Sequence, residues 1–311
     1  MSPSDLLILP FEDWINAFVR GFLVPNFRPL FRALQVPVNE VLQGFDAFFA
    51  WVPMLAVTAA FALLAWRVVG RGMAIVTIVG FCFIDMIELW PETMTTLAMI
   101  ITSVLFCTVI GVPIGILVAR SDRAWKLTRP ILDIMQTVPS FVYLVPIVML
   151  FGVGMAPGII ATIIFALPPI IRMTNLGIRN VRGDLIEAAE AFGATPTQTL
   201  LEVQVPLAMR TIMAGLNQTL MLAMSMVVIA ALIGAGGLGL VVNTGLGRLN
   251  VGQATAGGVG IVILAIVLDR ITQGFAEPGK GQKTGLIAAL KSFVSGQTVE
   301  PASQTYSDKT A

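Results

Sequence analysis

The sequence predicts an all-α polytopic membrane protein with about seven spans, and three observations carry that prediction. Of the 311 residues, 56% are hydrophobic and only 12% are charged, about half the share of roughly 25% that covers a soluble domain. The mean hydropathy is +0.87. Five charge-free stretches, Ala47–Trp66, Met94–Ala119, Ile134–Ile171, Thr211–Gly247 and Leu249–Leu268, each reach the ~20 residues that cross a bilayer as helix.

The same composition excludes whole classes of activity. A net charge of +1 leaves no basic footprint for nucleic acid. With no His in the chain, imidazole metal sites and His-activated nucleophiles are absent. Cys82 and Cys107 fall in apolar segments at no metal-ligand spacing and read as packing residues. No catalytic residue, no metal and no bound cofactor are expected of this chain. The opening MSPSDLLILPFEDW carries Asp5, Glu12 and Asp13 without a basic n-region, so it does not read as a signal peptide.

Residues 1–50 form the first unit. Trp14, Ala17, Phe18, Phe22, Phe27, Leu30, Phe31 and Leu34 recur at helical spacing, interrupted by acids, arginines and Pro25. That pattern suits a helix lying in the membrane interface. Residues 51–90 hold two leading spans, near 52–69 and 72–90. Residues 91–273 hold the other five, near 94–119, 134–153, 156–172, 212–234 and 257–272, with GVGMAPG at Gly152–Gly158 as the break between the fourth and fifth. Residues 274–311 are polar and read as a tail. Its start, Gly274–Gly281, reads GFAEPGKG; it fails as a phosphate-binding loop because Gly281 follows the lysine and a span precedes it instead of a strand.

Short cytoplasmic loops collect Lys and Arg. With the N-terminus outside and the C-terminus inside, the inner segments hold fifteen of the 19 Lys and Arg, leaving Arg20, Arg28, Arg32 and Arg248 outside. Asp85 and Glu88 then fall at the outer end of the second span and Asp269–Arg270 at the inner end of the seventh. No acid is left deep in a span to relay protons.

The loop from 172 to 210, on the inner side, is long enough to fold. GDLIEAAEAF (Gly183–Phe192) is helix-forming, with Leu185, Ala188, Ala189 and Phe192 on one face and Asp184 and Glu187 in its first turns, where acids complement the helix dipole. Gly193 stands where a helix ends in a residue of positive φ. Thr195-Pro196-Thr197-Gln198 is a capping box with proline at the first helical position. The second helix is expected to end before Pro206. The loop thus reads as two short helices hinged at Gly193, leaving Ala188, Ala189, Leu200 and Leu201 exposed. Such a surface packs on its own membrane domain or docks a soluble partner.

Glu187-Ala188-Ala189, three residues, Gly193, nine residues, then Val203-Gln204-Val205-Pro206 resembles the EAA loop of bacterial ABC-importer permeases, usually EAA-x3-G-x9-I-x-L-P. Val203 and Val205 are conservative departures. Pro206–Gly239, Gly247–Gln273 and Met135–Gly154 are similar to the permeases of glycine betaine/proline betaine importers, so the likeness covers roughly residues 90–273. It implies a type-I ABC permease fold, a homodimer in a bacterial inner membrane, and import of glycine betaine or a related compatible solute. It also implies a cytoplasmic ATPase subunit that uses ATP and Mg, and a periplasmic or surface substrate-binding protein. Glu187, Ala188, Ala189, Gly193, Val203 and Pro206 would couple the ATPase to the spans.

A quaternary ammonium is held by aromatic faces, and Phe141, Tyr143, Phe151 and Phe165 are the candidates to line a path. The glycines of Gly234–Gly247, among them Gly236, Gly237 and Gly239, read as a tight reversal or as an outer gate. The same machine carrying choline, proline, taurine or trimethylamine oxide is the nearest alternative. An ATP-independent transporter or channel is the alternative from another class.

Overall fold

In lipid only an element that satisfies its own backbone hydrogen bonds can span. The computed structural model, which describes residues 11–276, is built accordingly: among the described residues there are helices and no strands. The chain begins with α1 (Phe11–Asn16), widens into a π-helical stretch at Ala17–Leu23 and continues as α2 (Val24–Trp51). α2 turns Val38, Leu42 and Phe49 inward, while Trp14, Phe18 and Phe22 stay exposed. Residues 1–10, and the predicted tail beyond Ala276, lie outside the described residues.

α3 (Met54–Val68) and α4 (Arg71–Met86) form a hairpin turned at Gly70, whose φ is +132°. At 1.5 Å per residue each is ~22–24 Å long, against a hydrocarbon layer of ~30 Å. α5 (Trp90–Ala119), α8 (Met155–Arg179), α11 (Val205–Ala230) and α13 (Val251–Ala276) are the long helices of the core. All four are long and apolar enough to cross a membrane, counting α11 within the run Pro196–Ile233.

Lipid tails are as apolar as leucine, so helices in a membrane associate by close packing rather than by escape from water. Here α5, α8 and α11 close on one another through glycine. A Cβ at Gly115 on α5 would lie 2.5 Å from Cβ of Thr174 on α8, and one at Gly215 on α11 would lie 2.6 Å from Cβ of Met173. Hydroxyls buried in these helices donate to the carbonyl four residues back: Thr102 to Ala98 at 2.7 Å, Ser103 to Met99 and Thr162 to Gly158 at 2.8 Å. The polar cost of burying them is thereby met within each helix.

Three features differ from expectation. The fourth span, predicted as 134–153, is broken: α6 (Asp122–Thr137) meets a 3-10 turn (Ser140–Tyr143) and α7 (Leu144–Phe151) at a bend of 103°. Pro139 has no N–H to continue α6 and pushes Val138 into extended geometry, ψ +127°. The loop's second helix does not end at Pro206. After α9 (Gly183–Ala191) and the short α10 (Pro196–Gln198), a π-helical turn, Thr199–Gln204, runs directly into α11. In that wider turn Val205 N–H bonds to Leu200 O, five residues back, and the ring of Pro206 is accommodated at the start of the next helix. Finally, the glycine-rich segment is no simple reversal. It contains α12 (Gly237–Gly247), packed on α5 and α13 and, at ~16 Å, too short to cross.

Gly115→Leu is expected to cost several kcal/mol, beyond the ~1–3 kcal/mol usual for overpacking, because backbone as well as side chain of α8 must move. Gly72→Ala, with nothing within 4 Å, should leave stability the same or slightly higher. Thermal melts of the two variants in one detergent check this.

Candidate functional site

The segment between α8 and α11 is built as its local signals require. α9 opens with Asp184, on which Arg182 forks, its Nε and Nη2 donating at 3.1 and 2.5 Å. It closes on Gly193 at φ +85°. There Ala194 N–H donates to Ala189 O at 3.0 Å and Gly193 N–H to Glu190 O at 2.9 Å, the paired bonds of a Schellman end. Thr195 N–H then donates to Gln198 Oε1 at 2.9 Å and Gln198 N–H to Thr195 Oγ1 at 3.4 Å, completing the capping box. The turn is therefore held by backbone hydrogen bonds at the end of α9 and by the side chains of the capping box beyond Gly193.

Glu187, Ala188 and Gly193 are exposed, Ala189 and Val203 are half-buried, and Pro206 is exposed. Phe192 is 94% exposed. It belongs to the apolar face expected of α9, yet it stands clear at the tip of the turn, where nothing among the described residues covers its apolar ring. Leu200, expected to be exposed, is 6% exposed and packs with Leu132, Ile171, Ile178, Ala208 and Ile212. It anchors the loop to the ends of α8 and α11, while Leu201 is 57% exposed.

Sequence reasoning missed how α6 is held. Its N-cap Ser121 accepts from Ala124 N–H. Two arginines of α8 reach across to it: Arg172 Nη2 pairs with Asp133 Oδ1 and Arg179 Nη1 with Asp122 Oδ1, both at 2.5 Å. Arg179 Nε also donates to Asn175 Oδ1 at 2.9 Å. The two pairs run antiparallel and clamp α6 along the end of α8 that leads into the loop. The signal was present in the spacing of Asp122 and Asp133, but only a tertiary contact names their partners.

The four aromatics do not form one cage. Tyr143 and Phe165 meet edge to face with centroids 6.0 Å apart, and the Tyr143 hydroxyl donates to Met135 O. Phe151 instead packs on Phe31 of α2, at 5.2 Å. Phe141 is 60% exposed. Of the glycines, Gly237 has φ +75° and a Cβ there would lie 2.4 Å from Thr96 Oγ1 on α5. Thr96 accepts from Leu238 N–H at 2.8 Å and donates to Glu92 O at 2.7 Å. A Cβ at Gly239 would be 3.0 Å from the Val228 backbone on α11, and Gly236 lies more loosely against Thr95 and Met155. Asp85 and Glu88 are exposed at the end of α4. Asp269 accepts from Asn217 and Gln273 at 2.7–3.1 Å. Among the described residues no group of three or more Cys, Asp or Glu is placed to hold a metal.

Long apolar helices packed through glycine, with one stiff, exposed turn carried between two of them, make up a multi-pass membrane protein. The chain belongs to the family of binding-protein-dependent transport system inner membrane components, whose model matches residues 111–277. It is 55% identical over 273 residues to the glycine betaine/proline betaine transport system permease protein ProW of Escherichia coli, covering 88% of this chain and 77% of that one. It is 47% identical to the glycine betaine transport system permease protein OpuAB of Bacillus subtilis, covering 87% of this chain and 93% of that one. Its fold is similar to an inward-facing structure of the MetNI methionine ABC transporter, with a TM-score of 0.56 at 27% identity, over 62% of this chain and 96% of that one. Membership in an ABC importer family makes an ATPase subunit and a substrate-binding protein its working partners.

Asp133→Asn, which removes one end of the clamp, is expected to speed hydrogen exchange in Asp122–Thr137 about fivefold, the equivalent of the ~1 kcal/mol that a partly exposed pair is worth. Unchanged exchange in that peptide would show that packing alone holds α6.

Proposed function

We propose that this chain imports glycine betaine or a related quaternary-ammonium compatible solute, as one of two identical permease subunits in a bacterial inner membrane. The carrying observation is the exposed α9–Gly193 turn between two long spans, in a chain 55% identical to a glycine betaine/proline betaine permease. Its N-terminus faces outside and its C-terminus the cytoplasm. This is supported by Arg179, Arg182 and Arg210 around the turn and by the rule that such charge stays inside.

In this reading the tip of the turn enters a groove on the ATPase. Phe192 supplies an apolar anchor, Glu187 a charged one, and Ala188 and Ala189 permit close approach. Val203 and Pro206 lie at the joint with α11. ATP and Mg are bound by the partner, whose closure pushes the turn. The push reaches α8 and α11 because Leu200 is packed between them and because α6 is clamped to α8. The spans then rock between inward-open and outward-open arrangements. Differential binding of the ATPase to those two arrangements is what makes the push effective.

The solute meets a weak site in the membrane. Tyr143 and Phe165 offer one edge-to-face pair, and a cation over an aromatic ring gains about 0.5–2 kcal/mol, enough to orient a trimethylammonium group without trapping it. Phe141 and Phe151 flank the same elbow. Gly236, Gly237 and Gly239 let α12 lie against α5 and α11, in the position of an outer gate. Strong recognition then belongs to the binding protein.

Two measurements test the reading. Gly193→Val places a β-branched residue at φ +85°, a cost of about 1–2 kcal/mol confined to the turn. Uptake should fall at least tenfold with membrane insertion unchanged; normal uptake would sink the coupling role. In a chain freed of Cys82 and Cys107, Phe192→Cys should react with an impermeant maleimide only in inside-out vesicles and Leu249→Cys only in right-side-out vesicles. The reverse pattern would invert the topology.

A further inference from the structure

We propose that the wide turn at Thr199–Gln204 is a two-register joint: under load from the ATPase it rewinds to α geometry, and Leu201 replaces Leu200 in the pocket beneath it. The load rests on the coupling role proposed for the α9–Gly193 turn, whereas the joint belongs to this chain alone. In the wide register Val205 N–H bonds to Leu200 O. Rewinding carries that bond to Leu201 O and advances the stretch from Pro196 to Leu201 by one residue of phase, about 100° around the axis of α11.

The residues along the turn suit both registers. Leu201 takes the place of Leu200, against Leu132, Ile171, Ile178, Ala208 and Ile212. Leu200 takes the place of Thr199, which is buried with a hydroxyl that has no hydrogen-bond partner among the described residues. Thr199 takes the exposed place of Gln198, and Glu202 the exposed place of Leu201. The shift therefore moves an orphaned hydroxyl into water, where it is satisfied, and takes an exposed leucine out of it. A one-residue slip in an ordinary amphipathic helix turns polar side chains into the core; here it turns none inward.

Pro206 holds the turn in the wide register. In α geometry its ring meets the carbonyl four residues back, that of Glu202, and the wide turn relieves this contact. Leucine is also bulkier than threonine, so the place of Thr199 must yield to admit Leu200. Little else resists. The last bond to α9 is made by Ala194 N–H, and the first bond of the capping box by Thr195 N–H. The box is internal to Thr195–Gln198 and turns as a unit, so the Ala194–Thr195 link takes up the rotation. α9 lies beside the wide turn, and its bare tip, Phe192, is the lever on which the ATPase bears. Closure shifts the joint because the ATPase binds the two registers unequally.

The test uses the permease–ATPase assembly in nanodiscs, from a chain freed of Cys82 and Cys107. Thr199→Cys, Leu200→Cys and Leu201→Cys are made singly and labelled with a maleimide, with and without ATP, Mg and orthovanadate to hold the ATPase closed. Without nucleotide, only Leu201→Cys should react quickly. On trapping, Thr199→Cys is expected to gain about tenfold and Leu201→Cys to lose as much, with Leu200→Cys slow throughout, because access sets the rate. An ATPase that merely covers the loop slows labelling but cannot speed it at residue 199. Pro206→Ala should give the same exchange in the assembly without nucleotide; should that variant fail to fold, trapping decides alone. Gain at all three positions would mean that the turn unravels, and no gain at residue 199 in either condition would mean that it is fixed. Each overturns the joint. Exchange in Pro206→Ala but not on trapping overturns the ATPase load as its driver. Uptake by Gly193→Val judges the coupling reading separately.

Discussion

The close approach of α5, α8 and α11 is the constraint on which the rest of the molecule depends. Without a hydrophobic force between spans, the helices stay together only where their surfaces fit. Gly115 and Gly215 let neighbouring helices come within the distance that a Cβ would occupy. The other elements hang from that trio. The exposed turn is strung between α8 and α11, α6 is clamped to α8, and α12 rests on α5 through Thr96 and Gly237. A looser trio would still be a membrane protein, but displacement at the turn would be absorbed before it reached the far ends of the helices.

Charge serves alignment here more than stability. The Asp133–Arg172 and Asp122–Arg179 pairs are partly exposed, with Asp122 the most so, and pairs of that kind contribute about 1 kcal/mol or less each. Their value lies in direction. Two pairs running antiparallel between α6 and α8 fix the axial register of a helix that Pro139 has already cut loose from α7. The elbow can bend at Val138 while α6 follows α8.

Local chemistry made part of this legible in the sequence, and tertiary contact hid the rest. The end of α9 at Gly193 and the box at Thr195–Gln198 depend on bonds within a few residues, and both stand as read. The long apolar helices were visible because length and hydropathy suffice to define a span. The break of the fourth span at Pro139 was overlooked because apolar residues continue across it, so composition stayed uniform where geometry did not. Leu200 and Leu201 are adjacent and identical in chemistry, and only packing against Ile171, Ile178 and Ala208 decides between them. The aromatics at 141, 143, 151 and 165 share an elbow, but the bend sends Phe151 toward α2 and leaves Tyr143 with Phe165. Arg172 and Arg179 were counted as charges that fix topology; their carboxylate partners lie 39 and 57 residues away.

The wide turn at Thr199–Gln204 settles the choice between those two leucines. In an unbroken α-helix the residue seven places before Ala208 shares its face, and that residue is Leu201. A π-turn inserts one extra residue, so the face passes to Leu200 instead, and Leu201 is rotated out toward water. The loop and the span therefore share an axis without sharing a phase. One added residue, placed just before a proline, lets each keep the pattern its own surroundings require: an apolar plug for the membrane domain and an apolar surface left over for whatever meets it.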